Sequence, residues 1–501
     1  MPVVWSPEGN ELLYGDQTDE GIDLFRINPS TGTNTLVGKA TDWNADWSAL
    51  PPPHQFNPES ADFMTIEDFP ASTSIMLYVG SGYQLMLGDP STGREEPLTE
   101  SMQVAGFYPS PSGQRLVYGN TLLLLSFTPS GQVEAQRVAL PSLPLDGELN
   151  WSPDESHLAL KDENGDVWMV DLDGNALPIP DANGLPAWNA DGSWVAYCDE
   201  NSTLYVIGPD VAPMAVAKET ACQPSWSVAG NWLAYTELDS TAQEPNRVVM
   251  YDAEQNSSRA LVERAALESW SPDGQLVAVR KDNSPGYGAD AYTVIVADPA
   301  GENQVAVGNF KPTDTGQQEW ANVPDVYIFG PYLIAPDLGS VSALADSLFD
   351  VTPSGARLLK GIGRQDLVTL ACARMSGGDQ AMLGTFYLTG VPVDQRPGLW
   401  GWISPDGKWA ALYNYQTAGD IHQLVDCVHA EQISMPAGSM PLDQAFSPDS
   451  RWHLTSFTNS EGNGELLLND LTAGDQISIT AVPNPQAVWL QDLVLPPPET
   501  Y

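Results

Sequence analysis

The side chains able to do chemistry in this 501-residue chain are mostly acids: 65 Asp and Glu, against five histidines and four cysteines. The histidines, His54, His157, His422, His429 and His453, are scattered. Only "HQLVDCVH" brings two of them near each other, with Asp426 between His422 and His429. An odd spacing on a strand sends two side chains to opposite faces, so these imidazoles are expected to be satisfied or exposed rather than metal-bound. The acids could serve a glycosidase if two of them faced one bond. Those with a recognisable setting, Asp154, Asp191, Asp273, Asp406 and Asp449, instead share one turn context, which predicts a structural role. "DENGDVWMVDLDGN", residues 162–175, has the look of a calcium loop but lacks the pattern that ends in Glu. It reads better as two hairpin turns. There is no GxSxG elbow, P-loop or dinucleotide fingerprint. No catalytic, cofactor-binding or metal-ligating residue is assigned, and calcium is the one cation left open.

Cys198, Cys222, Cys372 and Cys427 show no CxxC or Cys/His spacing that would hold zinc. They fall into two sequence-local pairs. A Cys198–Cys222 bridge would join strands of neighbouring repeats and contribute roughly 3 kcal/mol by chain entropy; buried free thiols are the alternative.

The elements that position these residues repeat. Eight segments align without gaps: "WSPEGNELLY" from Trp5, "PSPSGQRLVY" from Pro109, "WSPDESHLAL" from Trp151, "WNADGSWVAY" from Trp188, "WSVAGNWLAY" from Trp226, "WSPDGQLVAV" from Trp270, "ISPDGKWAAL" from Ile403 and "FSPDSRWHLT" from Phe446. Degenerate copies are expected near Trp47, near Trp320 and in "MSGGDQAMLG" from Met375, with a further strand around Trp489. In each unit the aromatic ends one strand. Ser-Pro-Asp-Gly makes the turn, because Pro presets φ, Asp caps the backbone and Gly accepts φ > 0. An apolar run gives the second strand. A third follows with its own turn, as in "LMLGDPSTG" at Leu85, "VWMVDLDG" at Val167, "LFDVTPSG" at Leu348 and "LLLNDLTAG" at Leu466, and then a short fourth, as in "EEPLT".

A four-stranded sheet of this length cannot bury both faces alone, so units of about 40 residues must stack, and radial stacking makes a β-propeller. The recurring Trp would then sit between blades, where burying about 200 Å² is worth at most roughly 5 kcal/mol. These turns resemble those of the TolB-like, or WD-repeat-like, family of β-propellers. The resemblance spans nearly the whole chain. It implies the fold specifically and the function poorly, since such propellers include protein-binding modules of the bacterial envelope, partners of peptidase domains, and lyases. The ending "LVLPPPETY" leaves no room for a peptidase domain after the propeller.

The expected fold is therefore all-β, a β-propeller of four-stranded antiparallel blades, with about 10–12 blades in two tandem rings. Equal division gives a first propeller over 1–264 and a second over 265–501 with degenerate blades at 309–400; a discontinuous ring closed by terminal strands is the alternative. Residues 50–72 are too Pro-rich and irregular for a strand pair and read as an insertion, with 282–292 and 309–318 as lesser ones. Such loops suit binding, or carry no function.

Composition bounds the rest. With 42% apolar residues and 16 Trp the chain should fold. A formal charge of −45 would repel nucleic acid and anionic lipid, and no run of about 18 apolar residues could span a membrane. "MPVVWSPEGN" has no signal-peptide pattern and enters a repeat at once, as a processed or trimmed chain would. Three sequons, at Asn150, Asn201 and Asn256, are near chance. The first functional reading is a non-catalytic extracytoplasmic scaffold that binds a protein partner, or itself, within an envelope or cell-surface assembly. The alternatives are a carbohydrate- or lactone-active propeller with an acidic channel site, and a self-assembling surface filament or sheath subunit.

Overall fold

The computed structural model describes residues 62–491, apart from short stretches between strands, and the strand backbones within 3–40. The chain is an all-β propeller. The described strands form eleven antiparallel sheets, ten of four strands and one of five. In chain order we number the blades 1 (3–40), 2 (76–97), 3 (108–139), 4 (144–179), 5 (187–217), 6 (225–263), 7 (265–310), 8 (318–343), 9 (347–387), 10 (399–434) and 11 (440–481). Blade 2 takes its first strand from the far end of the chain, where Ala487–Trp489 pairs with Met76–Val79 in the register Val488 opposite Leu77.

The third strands show why these segments are sheets with two buried faces. In Gly464–Asp470, Leu466 and Leu468 turn toward blade 2 and Leu467 toward blade 10. A continuous apolar run therefore serves two neighbours at once, as expected of a strand covered on both sides. Among the described residues, apolar clusters fill the seams of blades 2 and 3 around Leu77 and Leu116, 3 and 4 around Val117 and Leu158, 5 and 6 around Val206 and Tyr235, and 6 and 7 around Met250 and Val279. Blades 9 and 10 meet around Leu370 and Leu412, and blade 11 packs back on blade 2 around Trp452 and Trp489. Leu261, Val262 and Ala265 pack in the cluster shared by blades 6 and 7.

The recurring aromatic acts between blades by a hydrogen bond as well as by area. The indole of Trp226 donates to Ala187 O at 3.1 Å, Trp270 to Ser225 O at 3.0 Å and Trp489 to Ala445 O at 3.4 Å. Trp188 donates to the Asn150 side chain at 3.1 Å. Each acceptor residue directly precedes the aromatic of the preceding blade. Trp151 differs, since its indole nitrogen is buried with no partner. The side chain of Trp5 lies outside the described residues.

Three sequence expectations are corrected. Thr352 accepts from Arg357 N through its hydroxyl at 3.1 Å, as Ser152 does from His157 N at 2.9 Å. Ser347–Val351 is therefore the first strand of blade 9, not a third strand. Ala381–Tyr387 is then the fourth strand of that blade, so no separate unit starts at Met375. Within the expected insertion, Asp62–Ile66 is a fifth, outermost strand of blade 3, paired to Val133–Ala139, because its alternating side chains can cover that edge. Gln318–Trp320 opens blade 8, and Trp47 lies outside the described residues.

Candidate functional site

The signature acids are exposed at the blade turns, and each is engaged within its own turn. Ser152, Ser271, Ser404 and Ser447 are buried, and their hydroxyls donate to Asp154, Asp273, Asp406 and Asp449 at 2.6, 2.6, 2.8 and 2.6 Å. The same carboxylates accept a backbone N–H two residues on, from Ser156, Gln275, Lys408 and Arg451. In blade 5, Asn189 and Ser193 play these parts around Asp191. The hydrogen bonds from Ser193 and Ser271 hold the Asp191 and Asp273 carboxyls below their ordinary range. At Asp154, burial pushes upward but the bonds from Ser152 and Ser156 outweigh it. Successive turns also touch, since a Cβ at Gly192 would come within 2.5 Å of Asp154 Oδ1. In blade 4, Glu155 takes the positive φ, 56°, that Gly192 and Gly274 hold elsewhere. It accepts from Ser112 N at 2.6 Å and pairs with Arg115.

The acids of residues 162–175 cap two hairpins. Asp162 accepts from Asn164 N and Asp166 N, and Asp171 from Asp173 N and Asn175 N. Among the described residues no group of three or more His, Cys, Asp or Glu is placed to hold a metal ion.

Cys198 of blade 5 is bonded to Cys222 in the connection leading to blade 6, and Cys372 of blade 9 to Cys427 of blade 10. Of the histidines in "HQLVDCVH", His422 lies in Ile421–Asp426 and is buried, while His429 is exposed in the following turn and pairs with Asp426 at 2.7 Å. Sequence spacing missed the approach of His422 to His453 across the seam of blades 10 and 11, with ring centroids 5.5 Å apart. Their Nδ1 atoms meet Ser439 Oγ and Thr455 Oγ1, both at 3.2 Å, and their Nε2 atoms are buried without partners. Burial lowers His422 to about 4 and places His453 well below its ordinary value.

The larger cleft, about 470 Å³, opens between blades 2 and 11, at the seam beside the closing strand. One wall carries Met76, Tyr78, Met86 and Glu95 and the other Ile477 and Ile479. Local sequence explains the opening. The residue before the turn-forming Asp of the third strand is Val170, Tyr251, Ala297 or Asn469 in blades 4, 6, 7 and 11, and each is buried. In blade 2 it is Gly88, where even a Cβ would lie 3.3 Å from Tyr78 Cε1. Glu95 stands opposite Gly88 in register, and the Tyr78 hydroxyl donates to its carboxylate. Desolvation by burial, and then this bond, push the Tyr78 phenol far upward. Arg94, also at the cleft, is paired with Glu96 at 3.0 Å and lies over the Phe69 ring. A second cleft of about 360 Å³ runs beside Asn150, Pro186 and the Cys198–Cys222 bridge.

No protein-family model matches the sequence, and no curated protein matches it. Among solved structures the fold is similar to that of the dihydro-heme d1 dehydrogenase NirN in complex with DHE, at 12% identity and a TM-score of 0.40 over 87% of this chain and 82% of that one. It is similar to TolB from Acinetobacter baumannii at 13% identity and a TM-score of 0.26, over 74% and 79% of the two chains. It is also similar to an oligogalacturonate lyase in complex with manganese, at 11% identity and a TM-score of 0.34, over 85% and 99%.

Proposed function

We propose that the protein is a non-catalytic, extracytoplasmic propeller scaffold that binds a protein partner in an envelope or cell-surface assembly. The observation that carries this reading is the fate of the signature acids of blades 4, 5, 7, 10 and 11, each engaged by a Ser and a backbone N–H of its own turn instead of converging on a shared point. The two disulfides support the compartment, because such bonds persist where the medium is oxidising. A charge of −45 favours partners with basic surfaces.

The test is zero-length carbodiimide cross-linking of the native protein in its source cells, followed by mass spectrometry. The abundance of carboxylates makes this chemistry apt. Stoichiometric links from these acids to lysines of one partner protein are the expected result. An unlinked monomer, together with turnover of a glycan or lactone by the purified chain, would overturn the scaffold reading.

A further inference from the structure

The cleft between blades 2 and 11 has apolar walls and an exposed acid, Glu95, on the outermost strand at its edge. Met76, Tyr78 and Met86 form one wall, where Gly88 lets the Tyr78 and Met76 side chains pack closely over its backbone. Across the gap Ile479 is half-buried, while Ile477 is 36% exposed. Ile477 lies two residues along the same face of its strand, opposite Leu468, which is itself buried toward blade 2. It is a large, partly exposed aliphatic side chain at the lip of the cleft. The edge carries the exposed Glu95 carboxylate, opposite Gly88 in register and beside the Tyr78 phenol. The neighbouring cation, Arg94, is already paired with Glu96.

We propose that this cleft is a docking site for an extended segment of a partner protein in which Lys or Arg alternates with large aliphatic residues. The inference rests on the scaffold reading and gives it a place and a chemistry. The stem of a Lys or Arg side chain lies well along Met86 and Ile477 while its head reaches an acid. The sign is set by charge complementarity, for a molecule of −45 attracts basic segments from a distance, and Glu95 fixes them locally. The walls end in thioether and aliphatic groups that adapt to differing apolar side chains. The outermost strands of both blades, Arg94–Pro97 and Gln476–Ala481, border the cleft, so a strand-like segment can run between two sheet edges.

The experiment is a methyl NMR titration of the full chain, observing Met86 and Ile477, with three synthetic octapeptides: alternating Leu and Lys, alternating Leu and Glu, and alternating Gly and Lys. The Leu/Lys peptide alone is expected to shift both methyl signals. Glu95→Gln should weaken its binding about fivefold, the upper range for an exposed ion pair, and Glu95→Lys about tenfold or more. Ile477→Ser, at an exposed position, should weaken it without disturbing the fold. Equal shifts with Gly/Lys, which would mean unspecific attraction to an acidic protein, or unchanged affinity in Glu95→Lys, would overturn the proposal. Native cross-links that persist in Glu95→Lys would remove the cleft while leaving the scaffold; their absence from the wild-type protein would remove the scaffold itself.

Discussion

Ser447 has no exposed surface, yet its hydroxyl donates to Asp449 and accepts from Trp452 N, which makes it the pivot of its turn. Replacing it by Ala strands a buried N–H, and Ser447→Ala should lower unfolding free energy by about 1–3 kcal/mol in urea titration. Asp449→Asn, which keeps an acceptor, should lower it by less. The histidines lead to a pH prediction. His422 and His453 are held neutral by burial, and their folded pKa values lie below the unfolded value of about 6.5. Their stabilising effect is therefore complete above that value and declines as pH falls toward 4, because the unfolded chain takes up protons that the folded chain refuses. His422 alone should remove about 3 kcal/mol by pH 4. Thermal melts from pH 7 to 4 should steepen less for His453→Gln than for the wild type; equal slopes would show that carboxylates dominate. At this scale the turn contacts of the signature acids lie within a few residues of one another in the repeat, since turn chemistry is local. The His422–His453 approach could not be read from the repeat, because it depends on which faces of two blades meet. The cleft had a visible signal, the Gly in "LMLGDPSTG" where sibling strands carry larger residues.

The strands are where the sequence was clearest and where its errors are most instructive. The apolar run after each turn predicts the second strand throughout. Blade 9 was misread because Thr352 replaces Ser and no aromatic precedes it, so a first strand passed for a third. Asp62–Ile66 was hidden by the prolines before it. The bridges act between elements too. Cys198 and Cys222 are 24 residues apart and Cys372 and Cys427 are 55 apart, so each closes a loop worth roughly 3–4 kcal/mol. The double replacement Cys372→Ala with Cys427→Ala should lower the unfolding free energy by that amount and raise hydrogen exchange at the seam of blades 9 and 10. Unchanged exchange there would mean that apolar packing alone holds the seam.

For the whole molecule, the charge of −45 and the seam clusters pull in opposite directions: like charges favour an expanded chain, while continuous apolar contact favours closure. Added salt should therefore raise the melting temperature up to roughly physiological strength, where screening acts over about 8 Å. Closure depends on the last strand. Trp489 is fully buried among residues of blades 2 and 11, and Gln491 N donates to Ser112 O at 2.8 Å, stitching the chain end to blade 3. Composition could indicate a propeller but not which ends meet, because a three-residue strand far along the chain has no local signal of its partner. The most direct measurement is hydrogen–deuterium exchange, comparing the full chain with one ended after Pro483. Closure by Ala487–Trp489 predicts faster exchange in Met76–Asp89 and in blade 11, with blades 5 and 6 unchanged. Identical exchange in Met76–Asp89 in both proteins would contradict it.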